Sequence, residues 1–187
     1  MRLFSALYAR LELTLAVIKP DVVSHPHKLQ EIKDTILRNK FLFVRSKIVR
    51  WSKADAELFY REHKGRFFYN RLVGFMSSGS MSAHILAKED AISHWRKLMG
   101  PTKTFKAKHM APTTLRARFG LTDTRNATHG SDSTETAERE IGFFFPEFSL
   151  SDWYANDEPL FRTGSVRYKP EDRVHIVYKN MDNSVLR

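Results

Sequence analysis

Hydrophobic and polar positions along the chain follow two alternating rhythms. Residues 13–18 form a short, mostly apolar, partly β-branched run that ends at Lys19-Pro20-Asp21. A run this short, stopped by proline, predicts a buried central strand. Over 27–39, Leu29, Ile32, Ile36 and Leu37 share one side, which predicts an amphipathic helix. Alternation returns over 41–51 and predicts a second strand. Ser52 is placed to cap a helix that carries Ala54, Leu58, Phe59 and Tyr60. A helix over 68–76, a strand over 81–87 and a helix over 89–99 follow, the last closed by Gly100-Pro101.

Periodicity then lapses. Residues 101–125 contain Pro101 and Pro112 and predict a long basic loop, and a loop of that length in a compact domain is usually functional. A short strand over 127–129 leads into a helix over 133–145, with Asp132 and Glu135 spaced as a capping box and Pro146 as its stop. Residues 147–187 read as loop-rich, with one strand over 174–178. The organisation is an N-terminal segment over 1–11, a domain over 12–146 and a C-terminal extension over 147–187. The mix of elements predicts an α+β sandwich. The first strand–helix–strand unit is compatible with either direction of pairing.

Composition narrows the function. With 187 residues and 42% hydrophobic side chains the chain can bury a core. No apolar run is long enough to span a membrane. There is no cysteine, which excludes disulfides, thiolate metal sites and cysteine nucleophiles. The net charge is +10, and it is uneven: residues 1–146 carry 25 basic and 14 acidic side chains, residues 147–187 carry 6 and 7. Residues 91–122 hold seven Lys or Arg and no acid. Such a segment suits nucleotide phosphates, nucleic acid or an acidic surface, or is a solvated basic face. In the first ten residues Arg2 and Arg10 bracket Leu3, Phe4 and Leu7, the pattern of a short mitochondrial targeting helix or of a frayed terminus.

Several motifs are missing. Gly74 and Gly79 have phosphate-loop spacing, but Ser80-Met81 follows where Lys-Ser/Thr is required. No G-x-S-x-G elbow or H-E-x-x-H pair occurs. The informative stretch is 124–133, where one histidine, His129, is surrounded by small or polar residues. Gly130 permits close backbone approach, and Ser131, Asp132 and Ser133 sit at a helix N-terminus, where phosphate is favoured. Glu140 lies beside the Ala137, Ile141, Phe144 stripe, so its carboxylate leans inward and needs a partner. It is suited to hold one imidazole nitrogen and leave the other as a nucleophile.

These residues resemble the nucleoside diphosphate kinase family, whose signature is N-x-x-H-G-S-D. The resemblance covers about residues 13–145 and includes Ile18-Lys19-Pro20-Asp21, Phe59-Tyr60, Arg66-Phe67-Phe68, Arg96, Thr102, Leu115-Arg116 and Asn126 in order. The C-terminal extension and a lengthened basic loop make the chain similar to a divergent mitochondrial branch of that family. The resemblance implies a ferredoxin-like α/β sandwich with a central antiparallel four-stranded sheet covered by helices. It implies ping-pong transfer of the γ-phosphoryl group of a nucleoside triphosphate, typically ATP, to a nucleoside diphosphate through a phosphohistidine on His129. Glu140 and Ser131 would orient the imidazole; Lys19 and Asn126 would bind the sugar hydroxyls, with Lys19 and Tyr60 also near the transferred group. Arg96, Thr102 and Arg116 would grip phosphates, Phe68 would stack on the base with Leu72 beside it, and Asp132 would reach Mg²⁺ through water. Nucleoside di- and triphosphates would be the ligands, rather than nucleic acid. A mitochondrial protein partner and a location in the mitochondrial matrix, or otherwise the cytoplasm, would follow from the branch.

The chain departs from the family pattern in two places. Thr124-Arg125-Asn126 replaces Gly-Arg-Asn, and residues 103–114 form a longer loop than in standard members, where that loop also builds the hexamer. A monomer or dimer is therefore expected in place of a hexamer. The alternative to an active kinase is a weakly active or inactive nucleotide-binding scaffold that acts through a protein partner.

Overall fold

The structure, a computed structural model, describes residues 9–178. Four strands, β1 (Glu12–Ile18), β2 (Leu42–Arg50), β3 (Ser80–Lys88) and β4 (Thr128–Gly130), form an antiparallel sheet in the order β2-β3-β1-β4. β1 and β2 both run antiparallel to β3, which lies between them, so the first strand–helix–strand unit is split by a third strand. This is the expected ferredoxin-like arrangement.

Alternation along each strand assigns its side chains to two cores. Leu13, Leu15 and Val17 of β1, with Met81, Ala83 and Ile85 of β3, face helices α3 (Lys53–Phe59), α4 (Tyr69–Met76) and α8 (Thr134–Phe144). Ala16, Ile18, Phe43 and Leu86 face α2 (Pro26–Arg38) and α5 (Ala91–Met99) through Ile32, Ile36 and Trp95. Between Phe43 and Arg45 the β2–β3 register shifts, an irregularity at Val44 that puts both Val44 and Arg45 on the first face. Ser52 caps α3 in a reciprocal box with Asp55, as its sequence position implied.

Four local expectations are corrected. Pro20 does more than stop β1: it opens a one-turn helix, α1 (Pro20–Val23), where its missing N–H costs nothing. The long basic loop is largely helical, folded as α6 (Thr104–Met110) and α7 (Leu115–Phe119). Distant groups organise it: the Thr104 N–H donates to Asp123 Oδ1 (3.1 Å), the Thr104 hydroxyl to the Thr122 carbonyl (2.9 Å), and Ala107 and Leu115 are buried. The cap of α8 is Ser133, whose hydroxyl accepts from the Thr136 N–H, so Asp132 is left outside the helix.

The segment after Pro146 is also more ordered than its composition predicts. α9 (Leu150–Asp152), a π-helical turn (Trp153–Asp157) and α10 (Glu158–Arg162) lead to a hairpin of β5 (Val166–Lys169) and β6 (Val174–Val177). Phe148, Trp153 and Phe161 join the first core. Tyr168 and His175 pack on Phe43 at the opposite face, and the Phe43 N–H donates to His175 Nδ1 (2.9 Å). The segment thus wraps the outer edge of β2. The basic N-terminal pattern over 1–10 lies mostly outside the described residues. Among the described residues no helix is long and apolar enough to cross a membrane.

Candidate active site

β4 is short, and its register decides what His129 meets. His129 pairs with Val17, so its side chain projects to the face covered by α3 and α8. On the other face Gly130 lies under Trp95, where a Cβ would stand 2.3 Å from the indole Cδ1. Glycine is therefore required there by space. The Trp95 indole N–H donates to the His129 carbonyl (3.2 Å), fixing the strand from behind.

The His129 imidazole is held from one side. Its Nε2 lies 3.0 Å from both oxygens of Glu140, and the Ser131 hydroxyl donates to Glu140 Oε2 (2.7 Å). A carboxylate accepts, so the proton sits on Nε2 and Nδ1 carries the free lone pair. Glu140 is 3% exposed. Burial alone would raise its pKa, but the His129 charge and hydrogen bond, the Ser131 hydroxyl and Arg139 together hold it below the usual carboxylate value. Phe59 and Tyr60 present their rings edge-on to the imidazole at 5.6 and 6.4 Å. Burial, with Glu140 adding to it, pushes the Tyr60 phenol up, so it remains a neutral hydroxyl.

A second group of residues converges from the sheet end. Ala127 adopts a left-handed backbone (φ 68°), unusual for a residue with a Cβ. Two bonds hold it there: its carbonyl accepts from the Lys19 N–H (2.9 Å) and its N–H donates to Asp21 Oδ2 (3.1 Å). The bend brings Asn126 to Lys19, whose ammonium donates to Asn126 Oδ1 (2.7 Å) and the Thr124 carbonyl (3.3 Å). Asn126 in turn donates to the Thr102 and Asp123 carbonyls. Arg116 donates to the carbonyls of Gly100 (2.8 Å) and Thr128 (3.2 Å) and reaches Thr102 Oγ1 at 3.4 Å.

This end is cationic and desolvated. Burial, and then the Arg116 charge, pulls the Lys19 pKa down to about 7 against a smaller opposing effect of Asp21. Burial, and then Arg96, pulls Arg116 down to about 10. Arg116 Nε, Asp21 Oδ1 and Thr128 Oγ1 are buried without a protein partner. Of these, Arg116 Nε and the Thr128 hydroxyl are donors on residues that line the cleft, the kind of group a polar ligand satisfies.

Both groups open into one cleft of about 840 Å³. Lys19, Tyr60, Phe68, Leu72, Arg96, Thr102, Arg116, Asn126, His129, Asp132 and Glu140 all line it, and Ser131 stands buried behind Glu140. The structure thus brings every residue singled out in the sequence to one place. Phe68 is half-buried on the wall, in edge contact with His63 and Phe67. Asp132 is exposed at the mouth. Among the described residues no three His, Asp or Glu side chains form a metal cage. Asp132 at the mouth supplies one carboxylate, the type of donor Mg²⁺ takes together with substrate phosphates.

Arg71, Asp123 and His63 also line the cleft and carry no sequence signature, and Thr124, a departure from the family pattern, lines it with them. Arg71 stands three residues beyond Phe68, so helical spacing was the available signal.

Residues 12–150 match the family model described as nucleoside diphosphate kinase. The chain is 59% identical over 167 residues to Nucleoside diphosphate kinase 6 of Danio rerio, covering 89% of this chain and 95% of that protein. It is 58% identical to Nucleoside diphosphate kinase 6 of Homo sapiens, with 89% and 90% covered. Among solved structures, an orthorhombic crystal form of the Aquifex aeolicus nucleoside diphosphate kinase superposes with a TM-score of 0.70 at 39% identity, covering 75% of this chain and 97% of that one.

Proposed function

We propose that this chain, which belongs to the nucleoside diphosphate kinase family, transfers the γ-phosphoryl group of a nucleoside triphosphate to a nucleoside diphosphate by way of phosphorylated His129. The observation that carries this reading is the orientation of one imidazole. Glu140 takes Nε2, which leaves the Nδ1 lone pair free in a cleft lined by Lys19, Arg96 and Arg116.

In the first half-reaction Nδ1 attacks the γ-phosphorus of ATP. The Nδ1–P bond forms, the bond from phosphorus to the bridging oxygen breaks, and ADP leaves with that oxygen. Positive charge grows on the ring as Nδ1 shares its electron pair, and Glu140 at 3.0 Å stabilises it. Arg96, Arg116, Thr102 and Lys19 hold the phosphate oxygens, since phosphoryl transfer depends on positioning and charge neutralisation more than on covalent help. In the second half-reaction a terminal phosphate oxygen of a nucleoside diphosphate attacks the same phosphorus and the imidazole leaves. Phe68 and Leu72 carry the base, and Lys19 and Asn126 the sugar hydroxyls. Asp132 would hold Mg²⁺ through water, where the ion supplies charge neutralisation to the phosphate oxygens.

The test is transfer of label from γ-labelled ATP to the protein in acid-labile, base-stable form, followed by its release to GDP. Label on the wild type and none on His129→Asn supports the reading; equal labelling of both overturns it. A second reading, a weakly active nucleotide-binding scaffold, draws on the exposed Phe67 at the cleft and Phe105 on α6 (91% and 76%), apolar surface that a protein partner would cover. It is distinguished by nucleotide binding without label transfer. The exposed Lys103, Lys106 and Lys108 about α6 repel their counterparts around a symmetry axis, which supports a monomer or dimer, measurable by light scattering. The basic, apolar residues 1–10 support a mitochondrial matrix location, testable by import into isolated mitochondria.

A further inference from the structure

Beside the Phe68 platform the cleft wall carries a guanidinium. Phe68 is the N-cap of α4 and Arg71 stands three residues on, so both project from one side of the helix start. Both line the nucleotide cleft. Arg71 Nε donates to Thr124 Oγ1 at 2.9 Å, a bond between α4 and the segment that also carries Asn126. Thr124 is buried, and its carbonyl accepts from Lys19, so the anchor is fixed. Thr124 is also the residue that stands where the family pattern has glycine, and glycine has no hydroxyl to hold the guanidinium.

With Nε occupied, two Nη groups remain, and no acceptor for them is found among the described residues. Arg71 shares the lining of the cleft with Phe68, the ring on which the base would stack. Stacking alone does not choose among bases, because each has a π-face. A guanidinium fork at the base edge does choose. It donates to two neighbouring acceptors, which guanine supplies as O6 and N7, while adenine presents its N6 amino donor beside N7.

We infer that Arg71, held by Thr124, is a specificity-determining residue that favours nucleotides carrying a guanine-type O6/N7 edge over adenine nucleotides. This rests on the cleft being a nucleotide site. The preference acts on whichever diphosphate accepts the phosphoryl group, and it modifies the even-handedness that a bare stacking platform would give.

The experiment is calorimetric titration of the full chain with GDP, ADP and inosine diphosphate in the presence of Mg²⁺. Inosine keeps O6 and N7 but lacks the guanine 2-amino group. GDP and inosine diphosphate should both bind about tenfold more tightly than ADP, the lower end of what a bidentate pair discriminates in a solvent-facing position. Arg71→Ala should bring the GDP-to-ADP ratio to within about twofold, and Thr124→Val should lower it part of the way, because it frees the fork without removing it. Three results overturn the inference: no discrimination by the wild type, equal weakening of all three ligands by Arg71→Ala (a phosphate contact), or inosine diphosphate binding like ADP (recognition of the 2-amino group). Absence of binding by any diphosphate would instead overturn the nucleotide reading itself, and this inference with it.

Discussion

The two ends of the cleft are built on opposite terms. At the His129 end the polar groups satisfy one another: Ser131 and His129 both donate to Glu140, and the charge on that carboxylate has its partners. Only Nδ1 is left over. At the Lys19–Arg116 end cations are crowded together and desolvated, and Arg116 Nε and Thr128 Oγ1 lack partners. The first end is complete without a ligand and the second is not. On the proposed reading, the nucleophile is pre-set by the protein, while the energy of phosphate binding is held in reserve at the cationic end.

The contrast predicts that damage at the two ends separates chemistry from affinity. The largest effect belongs to His129→Asn. It should reduce turnover to background in a coupled NDP-phosphorylation assay while ADP still binds, because Asn carries no phosphoryl group and the cationic end is untouched. Next is Glu140→Gln, which keeps the shape and one acceptor but removes the charge facing the imidazole. It should lower kcat by roughly 10²-fold, the lower end of what a positioned proton partner contributes, with nucleotide affinity little changed. If affinity fell as far as kcat, the two ends would not be separable.

Damage at the other end should read mainly as binding. Arg116→Met should weaken ADP by about 2 kcal/mol, the range of a charge-assisted hydrogen bond, as measured by calorimetry. The smallest effect is that of pH. The Lys19 pKa is depressed to about 7, so its ammonium is charged below that pH and neutral above it. Phosphates take the charged form. Apparent nucleotide affinity should be flat below pH 7 and fall by up to about tenfold per unit above it, with proton uptake on binding. Stability of the free protein moves the other way. Between about pH 7 and the ordinary lysine value the unfolded chain holds a proton that the native chain has lost, so stability rises with pH in that window. Lys19→Met should flatten both profiles.

Much of this was legible in the sequence, for physical reasons that also mark where legibility stopped. β1 and β3 read as short runs because both of their faces are buried, and α2 has a helical period because one face packs on the sheet. The candidate site residues came from the resemblance to the kinase family, and the fold gathers them around one cleft. α6 and α7 are only one or two turns long, and α6 is held at Thr104 by Asp123 and Thr122, interactions with no local period. The cap of α8 was misplaced by one residue, since Asp132 and Ser133 are both good caps and only the hydrogen bond to Thr136 separates them. The wrap after Pro146 was missed because its apolar anchors, Phe148, Trp153 and Phe161, are too widely spaced for a helical stripe. Arg71 belongs to no local motif, and its partner Thr124 is 53 residues away.

The central claim is that Glu140 dictates which imidazole nitrogen reacts. Phosphorus NMR of the protein phosphorylated by ATP tests this directly, because phosphate on Nδ1 and on Nε2 gives separate resonances. The account predicts a single phosphohistidine signal of the Nδ1 type, lost in His129→Asn. A signal of the Nε2 type would contradict it, since that nitrogen would have to leave the 3.0 Å bond to Glu140 in order to react.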